Sequence, residues 1–214
     1  MILHVANLRH NYSREGFLEA DALPDPLAQF RLWFEQALEA GVPEPNAMTL
    51  ATVDHYGRPA GRIVLLKGLD ERGFVFYTNY ESAKGQQLQQ TPYAALVFWW
   101  AELERQVRIT GSVDRVSAAE TEAYFHSRPR ASQLGAWASP QSQPLPDRAS
   151  LDQRYQALEA RYADQVIPRP LHWGGFRVMP DTLEFWQGRP SRLHDRLCYI
   201  RQGDGQWLRQ RLAP

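Results

Sequence analysis

The hydrophobic pattern of this chain changes period several times, and each change predicts an element. Residues 1–24 are polar and irregular and read as a mobile arm. From Asp25 the spacing becomes helical. Asp25 can cap, Pro26 sits at the first helical position, and Leu27, Phe30, Phe34, Ala37 and Leu38 recur before Gly41. The period then shortens to that of strands at 47–54, 59–70 and 73–79, separated by turn residues at Tyr56-Gly57 and in "DERG". Such short gaps predict hairpins, hence an antiparallel meander and not βαβ units. A short helix is expected over 82–90, then a strand pair at 93–101 and 103–116. Ser117 with Glu120 forms a capping box that opens the next helix. A helical turn at 132–139 and a Pro/Ser/Gln-rich loop at 140–149 follow. Ser150 with Gln153 opens a further helix, with Tyr155, Leu158 and Tyr162 on one face. Strands return at 173–180, 182–188, 191–200 and 206–212. With no internal repeat and no clean linker, the pattern predicts one mainly β domain over 25–214, a closed or nearly closed antiparallel barrel with peripheral helices.

Composition narrows the function classes. Hydrophobic residues make up 43% and charged residues 22% of 214, as in an ordinary globular protein. Lys plus Arg equal Asp plus Glu at 24 each, so no global basic field draws nucleic acid or anionic lipid, and an anion must be caught by local clusters. The single cysteine, Cys198, excludes an internal disulfide and any multi-cysteine metal site. The N-terminal stretch lacks a signal pattern, and no apolar run approaches the ~18 residues of a membrane span, so a cytoplasmic location is expected. The chain has no GxGxxG, no GxxxxGK[ST] and no GxSxG, and the His194-Asp195 pair has no partner at metal-ligand spacing; no metal is expected.

Four clusters carry candidate chemistry. In "RIVLLK", Arg62 and Lys67 flank an apolar strand and fall on opposite faces if it is regular; they serve two sites, flank a bulge, or are charged strand ends in solvent. In "YTNYESAKG" a strand runs into a helix start whose amides, with Lys84 in the first turn, suit a phosphate; a capped surface helix is the plainer reading. In "YFHSRPRASQ", Tyr124, Arg128, Ser132 and Arg130 offer hydroxyl and guanidinium donors around a helix end, where the dipole alone also favours Arg. In "FWQGRPSRLHDR", strand alternation puts Arg192, His194 and Arg196 on one face beside Trp186, a crowding of cations that asks for an anion. Together the clusters suggest two phosphates and two flat rings, one set from a cofactor and one from a substrate.

The ordered words "RIVLLK", "FYTN", "LERQV", "YFHSRPR", "SQLGAW", "WGGF", "EFWQG", "RLHDR" and "RLAP" resemble the pyridoxamine 5'-phosphate oxidase family, in register from about Leu8 to Pro214. The resemblance implies an FMN-binding split β-barrel and a homodimer with FMN in clefts at the subunit interface. It implies oxidation of pyridoxamine 5'-phosphate or pyridoxine 5'-phosphate to pyridoxal 5'-phosphate, with electrons passed to O2 to give H2O2. FMN would be held by Arg62, Ile63, Val64, Leu65, Leu66 and Lys67, by Tyr77, Thr78 and Lys84, and by Gln106. The other subunit would add Gln141, Ser142, Trp186 and Arg196. The substrate phosphate would meet Lys67, Tyr124, Arg128 and Ser132, with Arg192 and His194 near the reacting end of the pyridine ring. "RHNY", Arg9 to Tyr12, matches an N-terminal segment that closes over the substrate. One position departs: the family usually has Arg where this chain has Ala83, which removes a guanidinium expected at the FMN phosphate and implies weaker FMN retention. The rival readings are another split-barrel flavin oxidase or reductase, and a non-catalytic flavin or pyridoxal phosphate binder.

Overall fold

The structure, a computed structural model, describes residues 11–13 and 16–214. Helix α1 (Pro26–Glu39) starts as the sequence predicts: the Asp25 carboxylate accepts from the Leu27 and Ala28 amides at 3.0 and 3.2 Å, with Pro26 in the first turn. It ends where Gly41 takes a φ of +68°. Its buried face runs through Leu27, Phe30, Trp33 and Ala37, whereas Leu38 is exposed. Trp33 replaces the expected Phe34 because its larger ring packs on Phe17 and Phe185, at centroid distances of 4.9 and 5.2 Å.

The strands are β1 (Ala47–Val53), β2 (Pro59–Leu65), β3 (Gly68–Asp70), β4 (Gly73–Asn79), β5 (Tyr93–Trp100), β6 (Arg105–Arg115), β7 (Trp173–Gln187), β8 (Asp195–Arg201) and β9 (Trp207–Arg211). They join in the order β2-β1-β5-β6-β7-β4-β3, with β8 on β7 and β9 on β8. Alternation sets the inward faces: Met48, Leu50 and Thr52 are buried in β1, and Ala94, Leu96, Phe98 and Trp100 in β5. The remaining helices are α2 (Ala83–Gln90), α3 (Ala118–Ser127), α4 (Arg130–Ala138) and α5 (Arg148–Arg161).

Several boundaries differ from the sequence pattern. The single strand expected over 59–70 breaks at Leu66-Lys67, where the Lys67 amide turns to the Val75 carbonyl at 2.8 Å. The two strands expected at 173–180 and 182–188 are one, β7. It pairs with β4 through 173–178 and with β8 through 182–187, and Pro180, which has no N–H to donate, lies between the two pairings. Helix α5 is capped by Asp147, which accepts from the Ser150 amide at 2.7 Å, three residues before the expected start. The segment 132–139 is part of a two-and-a-half-turn helix, α4.

The chain divides into two compact units. One comprises residues up to 49 with 95–110 and 180–214, and its core is aromatic: Phe17, Phe30, Trp33, Phe98, Trp100, Phe185 and Tyr199 are all 5% exposed or less. The other comprises 50–94 and 111–179. There α3, α4 and α5 enclose Phe125, Leu134, Tyr162, Ile167 and Trp173, with Tyr77 and Tyr124 packed against them. The capping box of α3 is present, and its Glu120 also accepts from Arg177 at 2.8 Å.

Candidate active site

The unit of 50–94 and 111–179 contains a cavity of about 630 Å³, within the range of cofactor and ligand sites. Strand β2 supplies Ile63, Val64 and Leu65, and the break after it turns Lys67 to the same cavity. Strand β4 supplies Tyr77, Thr78 and Asn79, and α2 supplies Lys84. Tyr124 and Arg128 come from α3 and its C-cap, Ser132 from α4, and Gln141 from the loop beyond. Arg62, Leu66 and Ser142 do not line it. Leu66 is buried, and Ser142 sits in an exposed turn with φ +71°.

Lys84 is fixed by neutral oxygens alone. Its ammonium donates to Thr78 Oγ1 at 3.3 Å, Gln141 Oε1 at 3.1 Å and Ser82 Oγ at 3.4 Å. Ser82 caps α2, accepting from the Gly85 amide and donating to the Asn79 carbonyl. Burial, and then the nearby Arg62 charge, push the Lys84 pKa down. Arg62 is held in the same manner: it donates to the Leu50 carbonyl at 3.1 Å, Thr52 Oγ1 at 2.5 Å and Gln87 Oε1 at 3.1 Å. Burial lowers its pKa too, although a guanidinium stays charged at neutral pH. Arg128 is desolvated likewise, and its buried Nη1 meets no hydrogen-bond partner among the described residues. Burial raises the Tyr124 and Tyr77 pKa values, so both phenols keep their protons. Among the described residues, then, Lys67, Lys84 and Arg128 line this cavity and no carboxylate does. Lys67 is exposed, but Lys84 and Arg128 are partly withdrawn from water without a carboxylate partner among the described residues; such cations are poorly compensated, and an anion repairs that.

A second cluster lies in the other unit. Tyr12 stands edge-on to Trp186 and His194 at 5.6 and 5.4 Å, and Trp186 lies 4.5 Å from the His194 ring. The His194 Nδ1 accepts from the Arg189 amide at 3.1 Å, which leaves the proton of the neutral ring on Nε2. Burial and Arg192 push the His194 pKa below 6.5, against the opposing pull of Asp195. Gln106 is half-buried on β6. Arg9 lies outside the described residues.

The expected single strand face of Arg192, His194 and Arg196 is not formed. Pro190–Arg192 make a 3-10 turn in which Ser191 and Arg192 take φ of +58° and +62°, and β8 begins only at Asp195. Pro190 cannot donate to a ladder, and left-handed residues cannot continue a strand. Arg196 also has its own anion: Nε donates to Glu184 Oε1 at 2.8 Å and Nη1 to the Ala213 carbonyl at 2.7 Å. Glu184, 8% exposed, meets Arg108 at 3.3 Å as well.

Sequence reading alone did not single out Thr52, Gln87, Ser82 or Glu184. The first three are partners brought by folding to Arg62 and Lys84, and the Thr52–Gln87 bond spans 35 residues. Only the burial alternation of β1 hinted at Thr52. Gln141, which the resemblance assigns to the other subunit's FMN, bonds here to Thr78 and Lys84 of its own chain. Among the described residues, no group of three His, Cys, Asp or Glu is placed to hold a metal ion, and no helix is long and apolar enough to cross a membrane.

Residues 34–162 match the family model described as pyridoxamine 5'-phosphate oxidase, and 173–214 match the pyridoxine 5'-phosphate oxidase C-terminal dimerisation region. The chain is 62% identical over 210 residues to the pyridoxine/pyridoxamine 5'-phosphate oxidase of a Synechocystis strain, covering 98% of each chain. It is 61% identical to the oxidase of the same name from Burkholderia multivorans, covering 98% of this chain and 99% of that one. Among solved structures it resembles PhzG from Burkholderia lata, crystallised with tetrahydrophenazine-1-carboxylic acid (TM-score 0.87, 32% identity, 91% of this chain and 95% of that one). A pyridoxamine 5'-phosphate oxidase-related, FMN-binding protein from Nostoc punctiforme shares the fold (TM-score 0.70, 21% identity, 86% of this chain and 97% of that one). The fold is therefore the expected one: mainly β with peripheral helices, of the FMN-binding split-barrel type.

Proposed function

This chain belongs to the pyridoxamine 5'-phosphate oxidase family of oxidoreductases, and from that premise we propose that it uses FMN and O2 to make pyridoxal 5'-phosphate from pyridoxamine 5'-phosphate and pyridoxine 5'-phosphate. One observation carries the reading: a cavity of cofactor size lined by three cations and, among the described residues, no carboxylate. The donors fit FMN. Lys84 and Arg62 would face its phosphate, Thr78 would add a hydrogen bond, and Ile63–Leu65 with Leu66, Tyr77 and Gln106 would flank the rest. Lys67, Tyr124, Arg128 and Ser132 would take the substrate phosphate. The match of 173–214 to a dimerisation region supports a homodimer; FMN would sit at its interface, the second subunit adding Gln141, Ser142, Trp186 and Arg196.

FMN supplies the two-electron acceptor that amino-acid side chains lack. The residues that would take the substrate phosphate, Lys67, Tyr124, Arg128 and Ser132, would hold the vitamer in place, replacing a bimolecular encounter by a fixed geometry. Arg192 and His194 orient the C4' substituent, and neutral His194, protonated on Nε2, presents a hydrogen-bond donor there. The family resemblance assigns Arg9 and Tyr12 to closing the site over the substrate. From the amine, loss of a hydride and a proton leaves an imine; water converts it to aldehyde and ammonia, while O2 takes up two electrons and two protons as H2O2. From the alcohol, the same two-electron loss gives the aldehyde directly.

The test is to purify the protein, record the flavin spectrum, and follow O2-dependent aldehyde formation from pyridoxamine 5'-phosphate. Bound FMN and stoichiometric H2O2 are expected. A protein that binds FMN yet forms no pyridoxal 5'-phosphate would leave the two rival readings, another flavin oxidase or reductase or a non-catalytic binder, and a protein that binds no FMN would overturn the proposal.

A further inference from the structure

We propose that Trp173 is a positioning residue for the substrate phosphate: its indole face holds the Arg128 guanidinium ready in the cavity. The inference rests on the reading of this cavity as the site of a phosphorylated vitamer. Arg128 is the C-cap of α3, with extended backbone (φ −76°, ψ 149°) before Pro129, so its side chain leaves the helix at a point fixed by two backbone constraints. Its Cζ lies 4.5 Å from the centroid of the Trp173 ring, and no carboxylate pairs with it among the described residues. The buried Nη1, without a hydrogen-bond partner there, is a donor kept for something else.

Trp173 is itself immobilised. It is 6% exposed and opens β7 opposite Asn79, and its carbonyl accepts from Arg169 Nη1 at 2.9 Å. Tyr77 stacks on it at 5.5 Å and 12°, Tyr124 lies parallel at 6.1 Å and 7°, and Phe125 meets it edge-on at 5.3 Å. Tyr124 has a closer stacking partner of its own, Tyr77 at 3.9 Å and 19°, so the donor that depends on the Trp173 face is Arg128. An aromatic face is a suitable holder because it attracts the cation without neutralising it. A carboxylate in its place would hold Arg128 as firmly but would compete with the incoming anion.

The experiment measures steady-state kinetics of the FMN-loaded enzyme with pyridoxamine 5'-phosphate and with pyridoxamine, which lacks the phosphate. Trp173→Leu should raise KM for the phosphorylated substrate roughly 3- to 30-fold, the worth of a partly desolvated cation–π contact. Its kcat should stay within about twofold, kcat/KM for pyridoxamine should not move, and Trp173→Phe should restore most of the loss. In an Arg128→Ala background the Leu substitution should add almost nothing, as a merely structural role would not predict. Trp173→Met, which also lacks an aromatic face, serves if the Leu variant does not fold. An unchanged KM, an equal loss with pyridoxamine, or a full effect without Arg128 would overturn the inference. Wild-type protein that oxidises neither substrate would instead sink the proposed reaction. The same variant ratios would then be read from direct binding of pyridoxal 5'-phosphate by protein fluorescence.

Discussion

Replacing Lys84 by Gln should move two measurements in opposite directions. The ammonium sits among three neutral oxygens at 3.1–3.4 Å, and burial already disfavours its charge. If it binds the FMN phosphate, its loss removes one charge-assisted contact, about 1.5–3 kcal/mol, or roughly 10- to 150-fold in FMN affinity. The apoprotein, in contrast, loses a cation that had no anionic partner, while a Gln amide can still donate to Thr78 or Gln141. Apoprotein stability should hold or rise. The pH dependence has a definite sign as well. The folded-state pKa of Lys84 lies below its ordinary 10.5, so between the two values the unfolded chain binds more protons and stability increases with pH. That rise should be smaller in Lys84→Gln. Titration of apoprotein with FMN by flavin fluorescence, and thermal unfolding across the alkaline range, give both quantities. Unchanged FMN affinity, or an apoprotein destabilised by more than about 1 kcal/mol, would refute the assignment of Lys84 as an uncompensated phosphate-binding cation.

Three further outcomes are expected. Ala83, exposed in the first turn of α2, has room for a longer side chain, and Ala83→Arg should tighten FMN binding about tenfold by adding a guanidinium at the phosphate; equal affinities by titration would contradict this. Gly85→Ala should destabilise the protein by about 1–3 kcal/mol, because a β-carbon there would stand 2.2 Å from the Tyr80 carbonyl oxygen and 2.7 Å from that of Asn79, both backbone; an unchanged melting temperature would show that the turn yields freely. His194→Ala should lower kcat, and it should flatten the rise in stability with pH just below 6.5, since the depressed folded-state pKa makes the unfolded chain the better proton binder in that window. Turnover and unfolding curves that match wild type would remove His194 from the site.

The elements whose signals are local were legible in the sequence. Asp25 and Pro26 mark the start of α1, Ser117 and Glu120 the start of α3, and alternation marks β1 and β5. Two inferences that required an uninterrupted period failed. The run of 59–70 looks continuous as a pattern, but the Lys67 amide bonds to Val75 and ends the strand, which is how Lys67 reaches the cavity. In "RPSRLHDR" the alternation of basic residues is real as spelling and absent as geometry, because Pro190 and two left-handed residues precede the strand. The cations in and beside the cavity were identifiable from motifs. Their holders were not, because Thr52 and Gln87 for Arg62, and Trp173 for Arg128, reach them only through the folded chain.

The partners of the cations also separate two kinds of arginine that look alike in sequence. Arg177 meets Asp70 and Glu120, Arg169 meets Glu122, and Arg211 meets Glu19 and Asp195, all at 2.7–3.0 Å. Those guanidiniums are compensated inside the protein, and an external anion would have to displace a carboxylate to gain from them. Arg62 and Arg128 meet neutral oxygens or an aromatic face instead, as Lys84 meets hydroxyls and an amide. The fold has thus spent part of its stability on keeping three positive charges available. Arg196 falls in the compensated group through Glu184, so any contact with FMN would be limited to what the Glu184 and Ala213 contacts leave over. Glu184 therefore governs how much of that cation a ligand can use, and the uncompensated set marks where anion affinity should be concentrated.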